Sequence, residues 1–520
     1  MGRPRSQGHR PRLDAGPLLL CGVLLGSPAA TVANGWEHGT VPFEALVAAL
    51  ESTSADMRGR AAQSIGYRGE ARGVAPLLAL LGRVEPSHRV RSTAYAALGR
   101  LADPRALPVL QGCLRDEARE EIRGECVAAL GGIGSPKSLD LVIGAFRSDS
   151  HPLVQNRAID ALGRFARPES VALLAGLLDD DDPVRRRRAI AALGRTGMRE
   201  AVAPLLARLG EARATAERAA IVEALARLRD PSALGALLEE LDRVRDEALR
   251  IRITIALGAI RAPSAYDALV RMLRDPLPAV RFHAVRGLRE LGKPAAAGDL
   301  SRLYHELAES LAGRDFESLA ADAPAVITAL GLQIEILRAL AGLDARRGTD
   351  AFIDGASSPA VPLDSQTALR IAEGFYERRR MALHGLGYSA SRRAVGVLEG
   401  ADGLGHPDPR LRAVAVRSLA VLDAPGAAAR LVPVLHDPVP EVRWTAAMAL
   451  GRLRHPGAVD ALIERLDDEF GEVRRQAALA LGYIGEPRAS LPLAQLAIDE
   501  PVASVREAAL YAMDLLDSAD

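Results

Sequence analysis

Few side chains in this 520-residue chain have the type and spacing that chemistry needs. His305-Glu306 is its one His-Glu step, and it falls in an irregular helical stretch. A metal centre needs three or four converging ligands, so one such pair does not supply a set. The three cysteines, Cys21, Cys113 and Cys126, are too few for a thiolate zinc cluster or a disulfide-built fold. Gly131-Gly132-Ile133-Gly134 reads as a helix end and not as a phosphate cradle. Asp179–Asp182 followed by Arg185–Arg188 falls on an ordinary turn and helix start, where acids are favoured. Lys+Arg and Asp+Glu are equal at 66 each, which leaves no bulk field to gather nucleic acid or anionic lipid. No nucleophile motif is present. The expectation is therefore no catalytic residue, no metal and no cofactor; the chemistry left to the chain is binding.

The elements that would position a binding surface repeat along the sequence. Asp437 to Gly485 holds one pattern written twice: an acidic turn, Val-Arg, Ala, Ala-Leu-Gly, a break and an apolar run. From Val442, residues Ala446, Ala449, Leu450 and Leu453 lie on one helix face. His455-Pro456-Gly457 breaks that helix, and Ala461, Leu462 and Leu466 begin the next stripe. Such a hairpin cannot bury its own faces and must stack on its neighbours. The arginine recurs at Arg58, Arg91, Arg123, Arg186, Arg218, Arg250 and Arg281. Each precedes by eight the position of Gly66, Gly99, Gly131, Gly194 and Gly258, with Ala226 and Arg289 as substitutes. Gln155 takes the arginine's place before Gly163. The register resumes at Arg412, Arg443, Arg474 and Arg506. Steps of about 31 residues mark a solenoid, and an aromatic content of 3% argues against a β-rich core.

This pattern resembles HEAT repeats, in the short bacterial form shared with phycobilin lyase-like repeats. The resemblance covers most of the chain after residue 43. It implies an all-α, right-handed α-α superhelix of about 13–14 helical hairpins. It also implies that the Val-Arg helix lines the concave side, and that a turn acid pairs with the arginine as a ladder between units. Matching acids stand six residues ahead of the arginine: Glu85, Glu117, Asp180, Asp275, Asp437, Asp468 and Glu500. These charges read as structural glue. Deoxyhypusine hydroxylases share the repeat but hold a di-iron centre with several His-Glu pairs, against the single pair here. Phycobilin lyases carry no catalytic residue in the repeat that transfers to this chain. Helical-repeat DNA glycosylases need a basic, aromatic-lined cleft, which the balanced charge opposes.

The expected organisation is an array over 43–292 opened by a helix at Phe43 to Leu50, an irregular section over 293–380, and a second array over 381–520. In the irregular section Gln333 and Tyr376 stand where arginine is expected, and 344–366 is loop-like in its Gly, Ser, Pro and Asp content. Gly400 to Pro409 is a second insert. Residues 1–33 have the arginines, short apolar run and small-residue end of a signal peptide, which predicts a periplasmic or secreted protein; a cytoplasmic one is the alternative. No other segment is expected to span a membrane.

Binding residues are sought just after the ladder arginine, where a side chain faces the concave side. Phe282 and Trp444 are large rings at that position in an aromatic-poor chain, with Arg187 and Arg475 at its equivalents and Tyr95 one turn further along its own helix. Cys113 and Cys126 face one hairpin core, either as a disulfide or, the favoured reading, as buried thiols. The function expected is a non-catalytic scaffold that binds a protein partner; the alternative is a lyase- or chaperone-like subunit handling a chromophore or other ligand.

Overall fold

The computed structural model describes residues 41–357 and 365–518, and among them every regular element is helical. Residues 1–33, with Cys21, lie outside the described residues. The chain divides into two units, Met1–Phe165 and Ala166–Asp520. Each is a stack of helical hairpins in which a flanking helix, in most repeats the shorter one, precedes a helix that in most repeats carries the arginine and in α4 carries Gln155. These second helices are labelled α1 to α14 and called ladder helices. The first unit holds α1 (Ala55–Arg68), α2 (His88–Leu101), α3 (Glu120–Ile133) and α4 (Pro152–Leu162). The second holds α5 (Pro183–Thr196), α6 (Thr215–Leu228), α7 (Glu247–Ile260), α8 (Pro278–Leu291), α9 (Ala323–Leu343) and α10 (Gln366–Tyr388). It continues with α11 (Pro409–Leu422), α12 (Pro440–Arg452), α13 (Gly471–Ile484) and α14 (Ala503–Asp517).

Local chemistry explains the helix ends. Proline opens α5, α8, α11 and α12, where its missing N–H costs nothing. The Asp182 carboxylate accepts from the Val184 N–H at 2.8 Å and caps α5. Gly134, Gly197 and Gly485 end α3, α5 and α13 with φ of 67°, 66° and 82°, a backbone that glycine adopts without strain. The helix Phe43–Ala49 packs Phe43 and Leu46 at the first hairpin, as expected of an opening helix.

Within each unit, two devices recur between neighbouring ladder helices. The first is charged. Arg443 donates from Nε and Nη2 to the two Asp468 oxygens at 2.8 Å each, while its Nη1 donates to the Asp437 carbonyl at 3.0 Å. One repeat on, Arg474 holds Glu500 at 2.7 and 2.8 Å and donates to the Asp468 carbonyl at 2.7 Å. Arg58–Glu85, Arg91–Glu117, Arg123–Asp149 and Arg412–Asp437 repeat this geometry. The ladder therefore differs from the expected one. At Glu85, Glu117, Asp437, Asp468 and Glu500 the acid six residues before an arginine offers that arginine its backbone carbonyl, and its carboxylate serves the arginine of the preceding repeat. The same carboxylate folds its own turn by accepting an N–H two residues on, as Asp468 does from Phe470 at 3.1 Å.

These links are not surface pairs. The side chains of Arg443 and Asp468 are 7% and 2% exposed, so removing one partner strands a buried charge, at a cost of about 3–5 kcal/mol. The hydrogen bonds from Arg58 and Arg474 hold the Glu85 and Glu500 carboxyls below their ordinary range. A lowered carboxyl stabilises the fold above its unfolded-state pKa, and that contribution is lost as acid protonates it in the folded state. Where the acid is missing, another replaces it. Ala212 stands six before Arg218, and Arg186 turns to the buried Glu217 at 3.6 Å. Gln155 donates to the Asp149 carbonyl at 2.9 Å, the bond an arginine makes elsewhere.

The second device is close backbone approach. A Cβ placed on Gly451 would lie 2.7 Å from the Ala480 Cα, and one on Gly482 2.7 Å from the Ala512 Cα. Gly66 meets Ala97, Gly99 meets Ala129, Gly131 meets Ala161 and Gly194 meets Ala224 in the same way. The recurring glycine is thus a contact point between helices, not a helix terminator. At these six contacts a hydrogen at one position faces a methyl at the other, and neither leaves room for more.

The section over 293–380 continues the second unit, with α9 packed between α8 and α10. Three expectations there change. Arg379, not Tyr376, holds the ladder place in α10: it stands eight before Gly387, whose Cβ would meet the Ser418 Cα at 2.9 Å. Arg379 donates to the Ala356 carbonyl at 2.6 Å and lies 2.6 Å from the His406 ring, where His406 replaces the turn acid. The stretch 344–366 is not all loop, since Thr349–Ala356 is a helix with Phe352 fully buried. A Cβ on Gly348 would meet the Phe352 ring at 2.9 Å and one on Gly355 the Tyr304 hydroxyl at 2.9 Å, so glycines that read as a loop signal serve packing; residues 358–364 lie outside the description. Finally, α9 is long and apolar enough to cross a membrane by length and composition, with a mean hydropathy of 1.6. Half of that window is buried, with Leu330, Ile336 and Leu337 in the core. Gly400 to Pro409 forms turns between Arg392–Glu399 and α11, as expected.

Cys113, on the flanking helix Leu107–Asp116, and Cys126, on α3, form a disulfide with Cα atoms 6.6 Å apart. This replaces the favoured reading of free thiols. Both positions face one hairpin core, and the 13-residue separation brings them across it.

The glycine contacts predict opposite signs for one substitution. Gly451→Ala lowers stability by about 1–3 kcal/mol in urea denaturation, because neither backbone can yield. Gly331→Ala in α9, with open space where its Cβ would stand, raises it by up to about 1 kcal/mol.

Candidate functional site

The two joining devices consume most of each ladder helix. The arginine faces the turns, the third, fourth and seventh residues after it face the core, and the eighth meets the next helix. What remains open is a stripe made by the first, fifth and ninth residues after the arginine, one turn apart on one face. In the second unit this stripe is mixed in character over α5–α8 and changes over α10–α13. There it runs through Arg380, His384 and Tyr388 on α10; Arg417 and Val421 on α11, whose first position, Ala413, is buried; Trp444, Met448 and Arg452 on α12; and Arg475, Leu479 and Tyr483 on α13. Tyr388 is 50% exposed, Met448 46% and Tyr483 44%. Other rings are as open, Tyr67 and Tyr511 among them; what sets these apart is that they stand together on adjacent ladder helices.

Between α10, α11 and α12 lies an open cavity of about 410 Å³, lined by Tyr388, Val414, Val421 and Met448 together with Arg380, His384, Arg417 and Arg452. The His384 and Tyr388 rings meet edge to face at 5.1 Å. Burial lowers the His384 pKa, and the neighbouring Arg380 and Arg417 guanidinium groups lower it further. Arg380 is held by Glu377 at 2.7 Å and Arg475 by Glu472 at 2.7 Å. Arg452 donates to the Ala420 carbonyl at 3.3 Å, and among the described residues neither it nor Arg417 meets a carboxylate.

The residues singled out from the sequence do not converge on one place. Trp444 and Arg475 occupy equivalent positions on α12 and α13 and belong to the stripe just described, with Trp444 half-buried. Phe282 is half-buried on α8, edge to face with His283 at 5.5 Å. Arg187 is exposed on α5. Tyr95 is corrected: it is 7% exposed, because the fourth residue after the arginine is a core position, as Val127 and Ile159 show. His384, Tyr388, Arg417, Met448, Arg452 and Tyr483 were missed. Continuing from the first position in steps of four finds the last four of these at once; His384 and Tyr388 also need the register of α10 read from Gly387. His305 and Glu306 lie on Ala296–Glu309, and among the described residues no three His, Cys, Asp or Glu side chains are grouped to hold a metal.

The family model for HEAT repeats matches residues 43–131, 117–194, 177–245, 235–314 and 428–514, well over half of the chain. This is a HEAT-repeat protein. The stretch that the model leaves out, 315–427, contains the long helices α9 and α10 and both inserts. A chain of the solved Kap95p–RanGDP complex is 14% identical, with a TM-score of 0.52 over 93% of this chain and 73% of that one. Importin beta is 11% identical over 94% and 86%, with a TM-score of 0.40. Human deoxyhypusine hydroxylase is 25% identical over 51% of this chain and 99% of its own, with a TM-score of 0.23. The first of these shows a shared HEAT solenoid fold; the other two carry no argument. No curated protein matches the sequence.

The electrostatics of the stripe predict a low titration for His384. Its ring resonances, followed by NMR, titrate below the usual histidine range, and Arg417→Gln moves the midpoint upward.

Proposed function

We propose that this HEAT-repeat protein is a non-catalytic scaffold that binds a protein partner on the concave side of its ladder helices, outside the cytoplasm. The observation that carries the reading is the open stripe of α10–α13, which places Tyr388, Trp444, Met448 and Tyr483 at the surface of a rigid helical frame. Aromatic and arginine side chains dominate the energetics of protein interfaces, and no chemistry within the stripe competes with that use. The ladder helices approach one another far more closely than the flanking helices do, which favours their side as the inner one. The Cys113–Cys126 disulfide supports an oxidising compartment, in keeping with the leader-like residues 1–33.

Photo-crosslinking in cells tests both parts. A benzophenone amino acid at Met448 captures one defined protein, and Trp444→Ala reduces that capture several-fold; the same probe at Leu491, 78% exposed on the flanking helix Ser490–Asp499, captures none. Mass spectrometry of the purified chain finds its amino terminus near residue 30 or 34. Equal capture at both sites, or a bound pigment in the absorption spectrum, contradicts the scaffold; an uncleaved amino terminus contradicts export.

A further inference from the structure

Resting on the scaffold reading, we infer that the stripe of α10–α13 receives an acidic peptide segment that inserts one bulky apolar side chain into the cavity between α10, α11 and α12. The charge pattern points to this partner. Of the twelve stripe residues on these four helices, four are arginine, one is histidine and none is acidic. The equivalent twelve on α5–α8 hold as many arginines but also Glu223 and Glu290, and one aromatic ring where α10–α13 have three. Glu223 takes Arg227 at 2.6 Å, so one cation there is answered from within the stripe. On α10–α13, Arg417 and Arg452 are left to a carboxylate supplied from outside, which a guanidinium binds in planar, two-point fashion.

The apolar part of the ligand follows from the walls. Tyr388, Val414, Val421 and Met448 leave about 410 Å³ between the two cations, room for one large side chain. Methionine and tyrosine adapt to leucine, phenylalanine or tryptophan without a specific polar demand. A nucleic-acid strand fits less well. Arginines and rings are shared features of such sites, but Glu377 and Glu472 already occupy Arg380 and Arg475 at the two ends of the stripe. A continuous phosphate backbone would run over both carboxylates, whereas a segment with one or two acids near Arg417 and Arg452 avoids them.

The test is selection of phage-displayed random twelve-residue peptides on the full chain, with winners remade as fluorescein conjugates and titrated by fluorescence anisotropy. The expected winners carry aspartate or glutamate on both sides of a leucine or aromatic residue. Arg417→Glu with Arg452→Glu weakens them by about tenfold or more, the milder pair Arg417→Gln with Arg452→Gln weakens them less, and added salt weakens them further. Circular dichroism confirms that the variants keep their helices. Winners of neutral or basic composition that Trp444→Ala still abolishes overturn the acidic reading and leave the scaffold standing. Tighter binding of a labelled single-stranded oligonucleotide than of any peptide also overturns it. No retained peptide, together with no photo-crosslink at Met448, overturns both.

Discussion

A guanidinium held between two turns is the constraint on which the structure depends. In the regular repeats, as at Arg91, Arg412, Arg443 and Arg474, the ladder arginine ties its own turn through backbone carbonyls and the next repeat through a carboxylate, so one side chain fixes both the fold of a hairpin and its register on its neighbour. The shared acid completes the circuit by folding its own turn. Burial makes the arrangement demanding: a charge left without its partner is costly, while a pair with every lone pair used is tolerated. That is why the substitutions are compensated locally. Glu217 takes over for Arg186, His406 stands in beside Arg379, and Gln155 keeps the carbonyl bond where its repeat lacks the arginine.

This constraint, together with the glycine–alanine contacts, decides which surface is free to work. The arginine, the core residues and the glycine leave only every fourth position of one face without a structural duty. A change there alters what the molecule meets and leaves how it stands. The stripe over α10–α13 differs in that way, with more rings and no carboxylate where α5–α8 carry Glu223 and Glu290. The inserts and the long helices α9 and α10 lie in the same part of the chain, so the departure from regular repeats and the distinctive surface occur together.

Most of the architecture was legible because its signals are periodic. Arginine, glycine and apolar residues recur at fixed offsets, and each offset has one structural meaning in every repeat. The middle was less legible because its glycines accommodate large neighbouring rings instead of a facing helix. Gly348 lies close to the Phe352 ring, and Gly355 to Tyr304 and Ala382, yet in sequence both look like breaks. The partner of each arginine was misassigned because spacing alone does not separate a backbone carbonyl in the same turn from a carboxylate one repeat later. Tyr95 and Trp444 show the limit for the site. Both are rings on ladder helices, and only the exact offset from the arginine separates a core position from an open one. The disulfide turned on pairing geometry that two cysteines in a sequence do not state.

The most direct test of the account is a double-mutant cycle on Arg443→Gln and Asp468→Asn, read by urea unfolding and by hydrogen exchange of α12 and α13. The account predicts a large loss for each single variant, a double variant much less damaged than the sum, and a coupling of about 1–3 kcal/mol, with protection falling in both helices whichever partner is changed. Losses that simply add, or a loss of protection confined to the altered helix, would contradict the claim that this link joins one repeat to the next.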